Sequence, residues 1–384
     1  MLDSEKNKIF ISGVNKLTEW DRPKERLNIL LKNYLELDNV SFLFGAGSSM
    51  VLGSVSIANI PQQIENQIKE SIEGDQQNEN TIYDEFLEII SSLQERELDS
   101  DEEAPELPIR DDNEEIKYSL EALLNYLSAI KFIQLQTPEA IQFKYIDNLL
   151  QVIKSELFIL CDIDKRQPKP SPGFEEILKR NKYHYHEMFI KKILQRPLNL
   201  RRANLFTTNY DVAFEYSFDK LGVQYIDGFS GFNRRTLRPE IFDQDIFFPG
   251  STTQGKVHRI ERVIKYYKLH GSLTWFSEEP TPANIYGISE YAIDHVRKMI
   301  NDNIESAGKL LIYPTTEKKS HTLDFPYSEL FRQFANAISQ PQSVLITFGF
   351  SFRDEHINDI IHQALAIPSF TLVIVDYLGT NGSF

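Results

Sequence analysis

Two short segments near the middle of the chain carry side chains that could do chemistry. The first, residues 203–211 with the sequence ANLFTTNYD, contains Asn209, and the second, residues 268–272 with the sequence KLHGS, contains His270. An asparagine amide can hold a sugar hydroxyl or a water molecule, and a histidine can accept and release a proton near neutral pH. Each segment follows or ends an apolar, strand-like stretch, and α/β folds present their ligand-binding residues at such positions.

A glycine-rich segment precedes both. Residues 40–49, with the sequence VSFLFGAGSS, indicate a strand, a tight turn and the start of a helix. The turn comprises Gly45, Ala46, Gly47 and Ser48. Glycines at such a turn let the backbone approach a pyrophosphate, and the N–H groups of a helix N-terminus favour its charge. A β–α turn without a ligand fits the same residues, because Met50 stands where the common dinucleotide pattern has its third glycine.

Further apolar runs predict the rest of the sheet that must position these segments. Strand character returns at residues 310–313, 343–349 and 369–376, where the runs VLITF and LVIV are almost continuously apolar, as is typical of parallel strands buried on both faces. Helices are expected at Val212–Leu221, Tyr327–Ser339 and Asp354–Leu365. This alternation predicts an α/β fold, a Rossmann-like, doubly wound parallel sheet.

Helical patterns surround this sheet in the sequence. Residues 1–39 predict an N-terminal helical extension, and residues 56–200 predict a large, mainly helical insertion that contains the acidic segment 97–115. The expected division of the chain is therefore an extension at 1–39, an α/β domain at 40–376 and a tail at 377–384.

The composition excludes several classes of protein. The chain of 384 residues has a net charge of −15, and residues 97–115 hold ten acids and one arginine, which supply −9 of that charge. This segment indicates a solvated loop or a docking arm for a basic partner. Because no basic stripe occurs, we expect no direct nucleic acid binding. We expect no membrane insertion and a cytoplasmic location, because no apolar run reaches the roughly 20 residues of a membrane helix and no export leader opens the sequence.

No metal site is expected. The single cysteine, Cys161, excludes a multi-thiolate zinc site, and the pair His184 and His186 points to different faces of a helix without a third ligand. The acids Asp354 and Glu355 open a predicted helix, where negative charge complements the helix dipole. We therefore interpret these two residues as structural.

The order of the three motifs, GAGxS, then TxNxD, then HG, resembles the NAD-binding core of the sirtuin superfamily, over most of residues 40–376. The resemblance implies NAD as the substrate and assigns its phosphates to Gly45, Ala46, Gly47 and Ser48. It places the nicotinamide end at Thr208, Asn209 and Asp211, with His270 as the base. Looser matches assign the adenosine side to Gly349, Ser351 and Asp376.

The chain departs from that pattern in a way that distinguishes it from the protein-deacylating sirtuins. Protein-deacylating sirtuins carry a four-cysteine zinc module after the HG motif, whereas residues 277–309 contain no cysteine. The chain is more similar to the zinc-free, helix-rich sirtuin-like domains of bacterial anti-phage systems, in which NAD is hydrolysed. This resemblance implies an NAD glycohydrolase (NADase) that acts in antiviral defence, assembles as a homo-oligomer and has a HerA-type hexameric ATPase as a partner.

The residues permit hydrolysis of NAD to ADP-ribose and nicotinamide without a metal. Asn209 would position a water molecule below the ribose anomeric carbon, and His270 would accept a proton from that water or from a ribose hydroxyl. Two alternatives stay open at this point. One is a protein deacylase or ADP-ribosyltransferase, in which a peptide takes the place of water. The other is a non-catalytic sensor of NAD or ADP-ribose, or an assembly scaffold.

Overall fold

The computed structural model describes residues 10–11, 14–15, 21–54, 60–72, 82–98, 120–136, 143–169, 175–232, 234–249, 257–312 and 325–376. Its helices are α1 (Pro23–Leu35), α2 (Ile60–Ile72), α3 (Ile82–Leu98), α4 (Leu120–Gln136), α5 (Ile146–Cys161), α6 (Glu175–Arg180), α7 (His184–Ile193), α8 (Ala213–Leu221), α9 (Ile293–Asp302), α10 (Tyr327–Ile338) and α11 (Glu355–Leu365). Short 3₁₀ helices cover Ala46–Leu52, Ile163–Lys165, Pro239–Asp243 and Ile304–Lys309.

The strands are β1 (Phe10–Ile11), β2 (Val14–Asn15), β3 (Asn39–Phe44), β4 (Asn204–Thr207), β5 (Gln224–Ile226), β6 (Phe229–Ser230), β7 (Arg235–Leu237), β8 (Phe247–Pro249), β9 (Val257–Arg259), β10 (Val263–Lys268), β11 (Gly271–Ser277), β12 (Ile288–Glu290), β13 (Leu310–Ile312), β14 (Ser343–Phe348) and β15 (Thr371–Val375). Each predicted strand and helix of the α/β core lies within a few residues of its expected position.

The central sheet has six strands in the order β15-β14-β3-β4-β10-β5, and the pairs are parallel. From β3 the chain adds β4 and β10 on one side, and later adds β14 and β15 on the other. The order therefore reverses between β3 and β14, which makes that point the topological switch of a Rossmann-like fold. The predicted fold class is confirmed.

Helices cover both faces of the central sheet. Side chains of α7 and α8 pack with the sheet in one core, and side chains of α10 and α11 pack with it in the other. Burial on both faces explains why β3 and β14 read as continuous apolar runs in the sequence.

The strands of the central sheet end in register. Phe44 pairs with Thr207 and Phe348, Thr207 pairs with Lys268, and Phe348 pairs with Val375. The residues that follow these five strands therefore emerge at one edge of the sheet. The three predicted motifs and both looser matches begin there.

A second sheet was not predicted from the sequence. It is antiparallel, with the order β13-β11-β12-β7-β6, and its strand β11 starts directly after His270. The strand expected at residues 310–313 exists as β13, but it pairs with β11 rather than joining the central sheet. Most strands of this sheet have only two or three residues, too few to show a clear alternation of apolar and polar side chains.

The predicted helical region is present after the 3₁₀ helix at Ala46–Leu52. Helices α2 to α5 share a core with α9 and with side chains of β11. Of the acidic segment 97–115, only its first two residues lie in the described part of the chain, at the end of α3. The extension at 1–39 contains α1 and the short pair β1–β2, and the tail at 377–384 lies outside the described residues. None of the helices in the described ranges has the length and apolar character needed to span a bilayer.

Candidate functional site

The glycine turn lies at the switch point and packs directly against the turn after β14. The N–H of Gly45 donates to the carbonyl of Phe348 and the N–H of Gly47 donates to the carbonyl of Gly349, each at 3.0 Å. A Cβ on Gly45 would lie 2.6 Å from the Gly349 oxygen, and one on Gly47 would lie 2.8 Å from the Gly349 Cα. Contact between two backbone turns therefore requires glycine here, independently of any bound phosphate. Phosphate binding by the turn stays a prediction.

Asn209 connects its own strand end to this turn. Its amide Nδ2 lies 3.1 Å from the hydroxyl of Ser48 and 3.0 Å from the hydroxyl of Ser49, and it donates to both. The Ser48 hydroxyl in turn donates to the carbonyl of Gly45 at 2.7 Å. Within the described part of the chain no donor reaches Oδ1 of Asn209, so this oxygen is the atom of the amide that can hold a ribose hydroxyl or a water molecule.

Asp211 has both carboxylate oxygens engaged by protein groups. Oδ2 accepts from the Ser49 hydroxyl at 2.7 Å, and Oδ1 accepts from the N–H of Ala213, the first residue of α8, at 3.0 Å. The residue is only 7% exposed. Asp211 therefore holds the first N–H of α8 and fixes Ser49, and its predicted effect at the nicotinamide end would pass through Ser49 to Asn209. Thr208, the neighbouring prediction, donates its N–H to the carbonyl of Phe44 at 3.0 Å.

Lys268, which sequence reasoning did not single out, holds the same loop from inside the protein. Its side chain is 3% exposed, and its ammonium donates to the carbonyls of Tyr210 and Asp211 and to Oε1 of Glu215 at 2.9 Å. All three N–H bonds of the ammonium are thus used. A lysine inside the apolar run YYKLHG, two residues before His270, was the available signal.

A buried ionic network continues from Lys268. A cavity of about 10 Å³ is lined by Glu215, Asp227, Tyr266, Lys268, Trp275 and Glu290. The guanidinium of Arg235 donates to the carboxyl groups of Asp227, at 2.8 Å, and of Glu290. Burial raises the pKa of Glu290 to about 8, with a further contribution from the charge of Asp227. Burial also raises the pKa of Glu215, although the nearby Lys268 opposes that shift.

His270 follows β10 at the same edge of the sheet. Thr207 pairs with Lys268, so Asn209 and His270 each stand two residues beyond a paired position of neighbouring strands. Gly271, the second residue of the HG motif, has φ +87°, and a Cβ there would lie 2.1 Å from the carbonyl oxygen of Leu311. Glycine is therefore required where the chain turns from β10 into β11.

The imidazole of His270 lies against the start of α11. Its Nε2 is 2.8 Å from Oδ2 of Asp354, although the two groups lack the alignment of a hydrogen bond. The other oxygen of Asp354 accepts from the N–H of Ile357 at 3.2 Å and so caps α11. The interpretation of Asp354 as purely structural was therefore incomplete, because the same carboxylate also contacts the candidate base.

The residues assigned to the adenosine side lie at the far part of this edge. Gly349 has φ +57° and donates its N–H to the carbonyl of Val375 at 3.2 Å, while Ser351 is an exposed residue of the same turn. Asp376 is exposed and directly follows β15. The structure thus brings all the predicted site residues to one edge of the sheet, and their contacts with a ligand stay predictions.

The remaining candidates from the sequence lie in helices and not in the turns that follow the strands. His186 is buried in α7, where burial lowers its pKa, and its ring packs against Phe214. Burial raises the pKa of the Cys161 thiol to about 12. Over the described ranges, no group of three or more histidine, cysteine or acidic side chains is arranged to hold a metal ion.

Comparison with known families supports the resemblance seen in the motifs. Residues 203–373 match the family model of the SIR2-like domain. This range contains Asn209, His270 and Gly349, and it runs from the start of β4 into β15. Strand β3 and its glycine turn precede the matched range, but the sheet places β3 between β4 and β14, inside the SIR2-like region. SIR2-like domains are generally NAD-utilising enzymes, which makes NAD the expected substrate. No curated protein matches the chain.

Proposed function

We propose that this protein hydrolyses NAD to ADP-ribose and nicotinamide. The observation that carries the proposal is the position of Asn209. Its amide is held across the switch-point turn by Ser48 and Ser49, on a strand end that is level with the one bearing His270. A SIR2-like region with both side chains at one edge of the sheet supports an active enzyme over an idle sensor.

The proposed reaction breaks the bond between nicotinamide and the ribose anomeric carbon. Nicotinamide leaves with the electron pair of that bond, which neutralises its ring charge, and a water molecule attacks the carbon. Oδ1 of Asn209 is suited to hold that water and to offset the positive charge that develops on the ribose. His270 accepts the proton that the water loses. The products are ADP-ribose, free nicotinamide and a proton, and no step requires a metal.

The rest of NAD would extend along the sheet edge towards β15. The phosphates would lie against Gly45, Ala46, Gly47 and Ser48. The N–H groups of Gly45, Gly47 and Ser48 already donate to the carbonyls of Phe348, Gly349 and Gly45, so phosphate contacts would depend on the remaining groups at the start of the 3₁₀ helix. The adenosine would lie near Gly349, Ser351 and Asp376.

We further propose that the hydrolysis depletes NAD as an anti-phage defence, within a homo-oligomer that docks onto a HerA-type hexameric ATPase. The support is the absence of cysteine from residues 277–309, which distinguishes the chain from deacylating sirtuins, together with the helical region inserted between β3 and β4. Light scattering of the purified protein, alone and with such an ATPase, tests this assembly. A monomer that ignores the ATPase and hydrolyses NAD at full rate would contradict it.

The enzymatic proposal is tested by incubating the purified protein with NAD, with and without an acyl-lysine peptide, and separating the products by chromatography. We expect ADP-ribose and nicotinamide without peptide. His270→Ala should lower the rate by roughly 10²–10⁴-fold, which is what a positioned general base contributes. Asn209→Ala should lower it by roughly 10²–10³-fold, which is the typical cost of losing a group that stabilises the transition state electrostatically.

Two exposed residues provide matched controls for these variants. Asn336 on α10 and His362 on α11 lie on the surface, so Asn336→Ala and His362→Ala should hydrolyse NAD like the wild type. A His270→Ala variant with near-normal turnover would show that His270 is not the base. Turnover that requires the peptide would favour a deacylase or transferase, and binding of NAD without turnover would favour a sensor.

A further inference from the structure

One carboxylate touches the candidate base without belonging to any sirtuin-like motif in this chain. Oδ2 of Asp354 lies 2.8 Å from Nε2 of His270, and the two side chains are only 19% and 15% exposed. In this partly buried setting a charge acts on the imidazole more strongly than it would in water. The contact joins the end of β10 to the start of α11, two elements that flank the switch-point turns.

The carboxylate itself is held in place by the helix that it caps. Oδ1 accepts from the N–H of Ile357, and the positive end of the α11 dipole favours a negative charge at this position. The imidazole is bounded on another side by the ring of Phe331, at 6.4 Å between ring centres. The histidine ring is therefore packed on one side and faces a fixed charge on another.

We infer that Asp354 is a positioning residue, which orients the His270 imidazole and favours the tautomer that carries its proton on Nε2. This inference rests on the proposed NAD hydrolysis. With the proton on Nε2, Nδ1 carries the lone pair that accepts a proton from water. The bond formed is Nδ1–H, the bond broken is an O–H of the water, and Asp354 stabilises the imidazolium without itself taking the proton.

The present contact has the distance of a hydrogen bond without its alignment. Hydrogen bonds of catalytic groups are often poorly aligned without substrate and improve when the substrate binds. Lys268, two residues before His270, directs its ammonium to Glu215. The ring of His356 packs against the ring of Phe331, at 4.4 Å between ring centres. Asp354 places a carboxylate directly against the imidazole of His270.

The cap allows a variant that separates the two roles of this carboxylate. Asp354→Asn retains an oxygen that can cap α11, because asparagine caps helices as well as aspartate does, but it removes the charge that faces His270. We expect kcat to fall roughly 10- to 10³-fold, less than the roughly 10⁴-fold of a serine protease Asp→Asn change because Asp354 is partly exposed. The KM for NAD should stay within about twofold, and the melting temperature should stay that of the wild type.

A second variant and a control guard against a purely structural effect. Asp354→Ser keeps a capping hydroxyl but is too short to reach His270, so it should lose activity like Asp354→Asn. Asn303→Ala removes a comparable cap, the one that accepts from the N–H of Glu305, at a position outside the site. It should lower stability by about 1 kcal/mol and leave kcat unchanged.

The tautomer provides a readout that does not depend on NAD. In protein labelled with ¹⁵N-histidine, with the His270 signals assigned by comparison with His270→Ala, we expect wild type to show a protonated Nε2 and Asp354→Asn to show a changed pattern. If wild type does not hydrolyse NAD, the proposed function fails while this measurement still decides the pairing. Wild-type kcat in Asp354→Asn, or an unchanged ¹⁵N pattern, would overturn the inference.

Discussion

The loop that carries Asn209 is held in different ways on its two sides, one facing the glycine turn and the other facing Lys268. On the side of the glycine turn, neutral groups meet: the Asn209 amide donates to Ser48, which is partly exposed, and to Ser49, which is buried and donates in turn to Asp211. On the other side, the buried ammonium of Lys268 donates to the backbone carbonyls of the same loop and pairs with Glu215. Neutral hydrogen bonds exchange partners at low cost, whereas a buried charge that loses its partner is expensive.

The difference suggests a division of labour between the two sides. The ionic side fixes the path of the backbone, because each N–H of Lys268 already has an acceptor and leaving one unpaired would be costly. The neutral side presents the Asn209 amide and the hydroxyl of Ser48, whose hydrogen bonds can be rearranged when a ligand enters, while Asp211 holds the Ser49 hydroxyl. A site built in this way keeps its main chain in place while its side chains adapt.

Breaking the ionic side should have the largest effect on stability. Lys268→Met leaves Glu215 buried without its partner, so we expect a loss of about 3–5 kcal/mol in the free energy of unfolding. The double variant Lys268→Met with Glu215→Gln should recover most of this loss, because position 215 then carries no unpaired charge. Denaturant unfolding measures both. A single variant as stable as the wild type would show that the pair does not hold the loop.

Glu290 lines the same cavity as Lys268 and Glu215, and its titration should make the free energy of unfolding depend on pH. Burial raises the pKa of Glu290 to about 8, so the folded protein keeps a proton there that the unfolded chain releases near its ordinary value. The resulting stabilisation is fully present below about pH 4 and is lost as the pH rises through about 8. Between pH 5.5 and 7.5 the wild type should lose stability through this group, by an amount on the order of a few kcal/mol.

Glu290→Gln tests this assignment, because glutamine resembles the protonated acid at every pH. The variant should lose less stability than the wild type between pH 5.5 and pH 7.5 in denaturant unfolding. Equal losses in the two proteins would mean that another group holds the proton within the network of Glu290, Asp227 and Arg235.

Changing the neutral side should have the smallest effect on stability. Ser49→Ala removes the hydrogen bonds to Asn209 and Asp211, with an expected cost of about 1–2 kcal/mol. Because Asn209 loses one of its two acceptors, NAD turnover should also fall. Ser91→Ala is a control, since the exposed Ser91 donates to the carbonyl of Leu87 in its own helix. A Ser49→Ala variant that turns over like Ser91→Ala would separate Ser49 from the positioning of Asn209.

The sequence predicted the central sheet and the strand-end residues for the same physical reason. Strands buried on both faces, such as β3 and β14, are continuous apolar runs, and their carboxyl ends locate Asn209 and His270 without further information. The second sheet escaped prediction because its short strands carry too few residues for a pattern.

The partners of the site residues could not be predicted in the same way. Lys268 and Glu215 are 53 residues apart, and only the pairing of β4 with β10 brings them together. Asp354 was assigned correctly to the start of a helix, but its contact with His270 depends on how α11 packs beside β10. Contacts of this kind arise from tertiary structure, which a single sequence does not display.

The late addition of β14 has a consequence for synthesis of the protein. Asn39 at the start of β3 donates to the carbonyl of Pro341, next to β14, across 302 residues of chain. At a typical elongation rate of about 5–20 residues per second, β14 leaves the ribosome roughly 15–60 s after β3. Until then the glycine turn lacks its contact with Gly349, and His270 lacks its contact with Asp354. A nascent chain therefore already carries Asn209 and His270 while the crevice between them and β15 is still open, so the ribosome itself delays completion of the site.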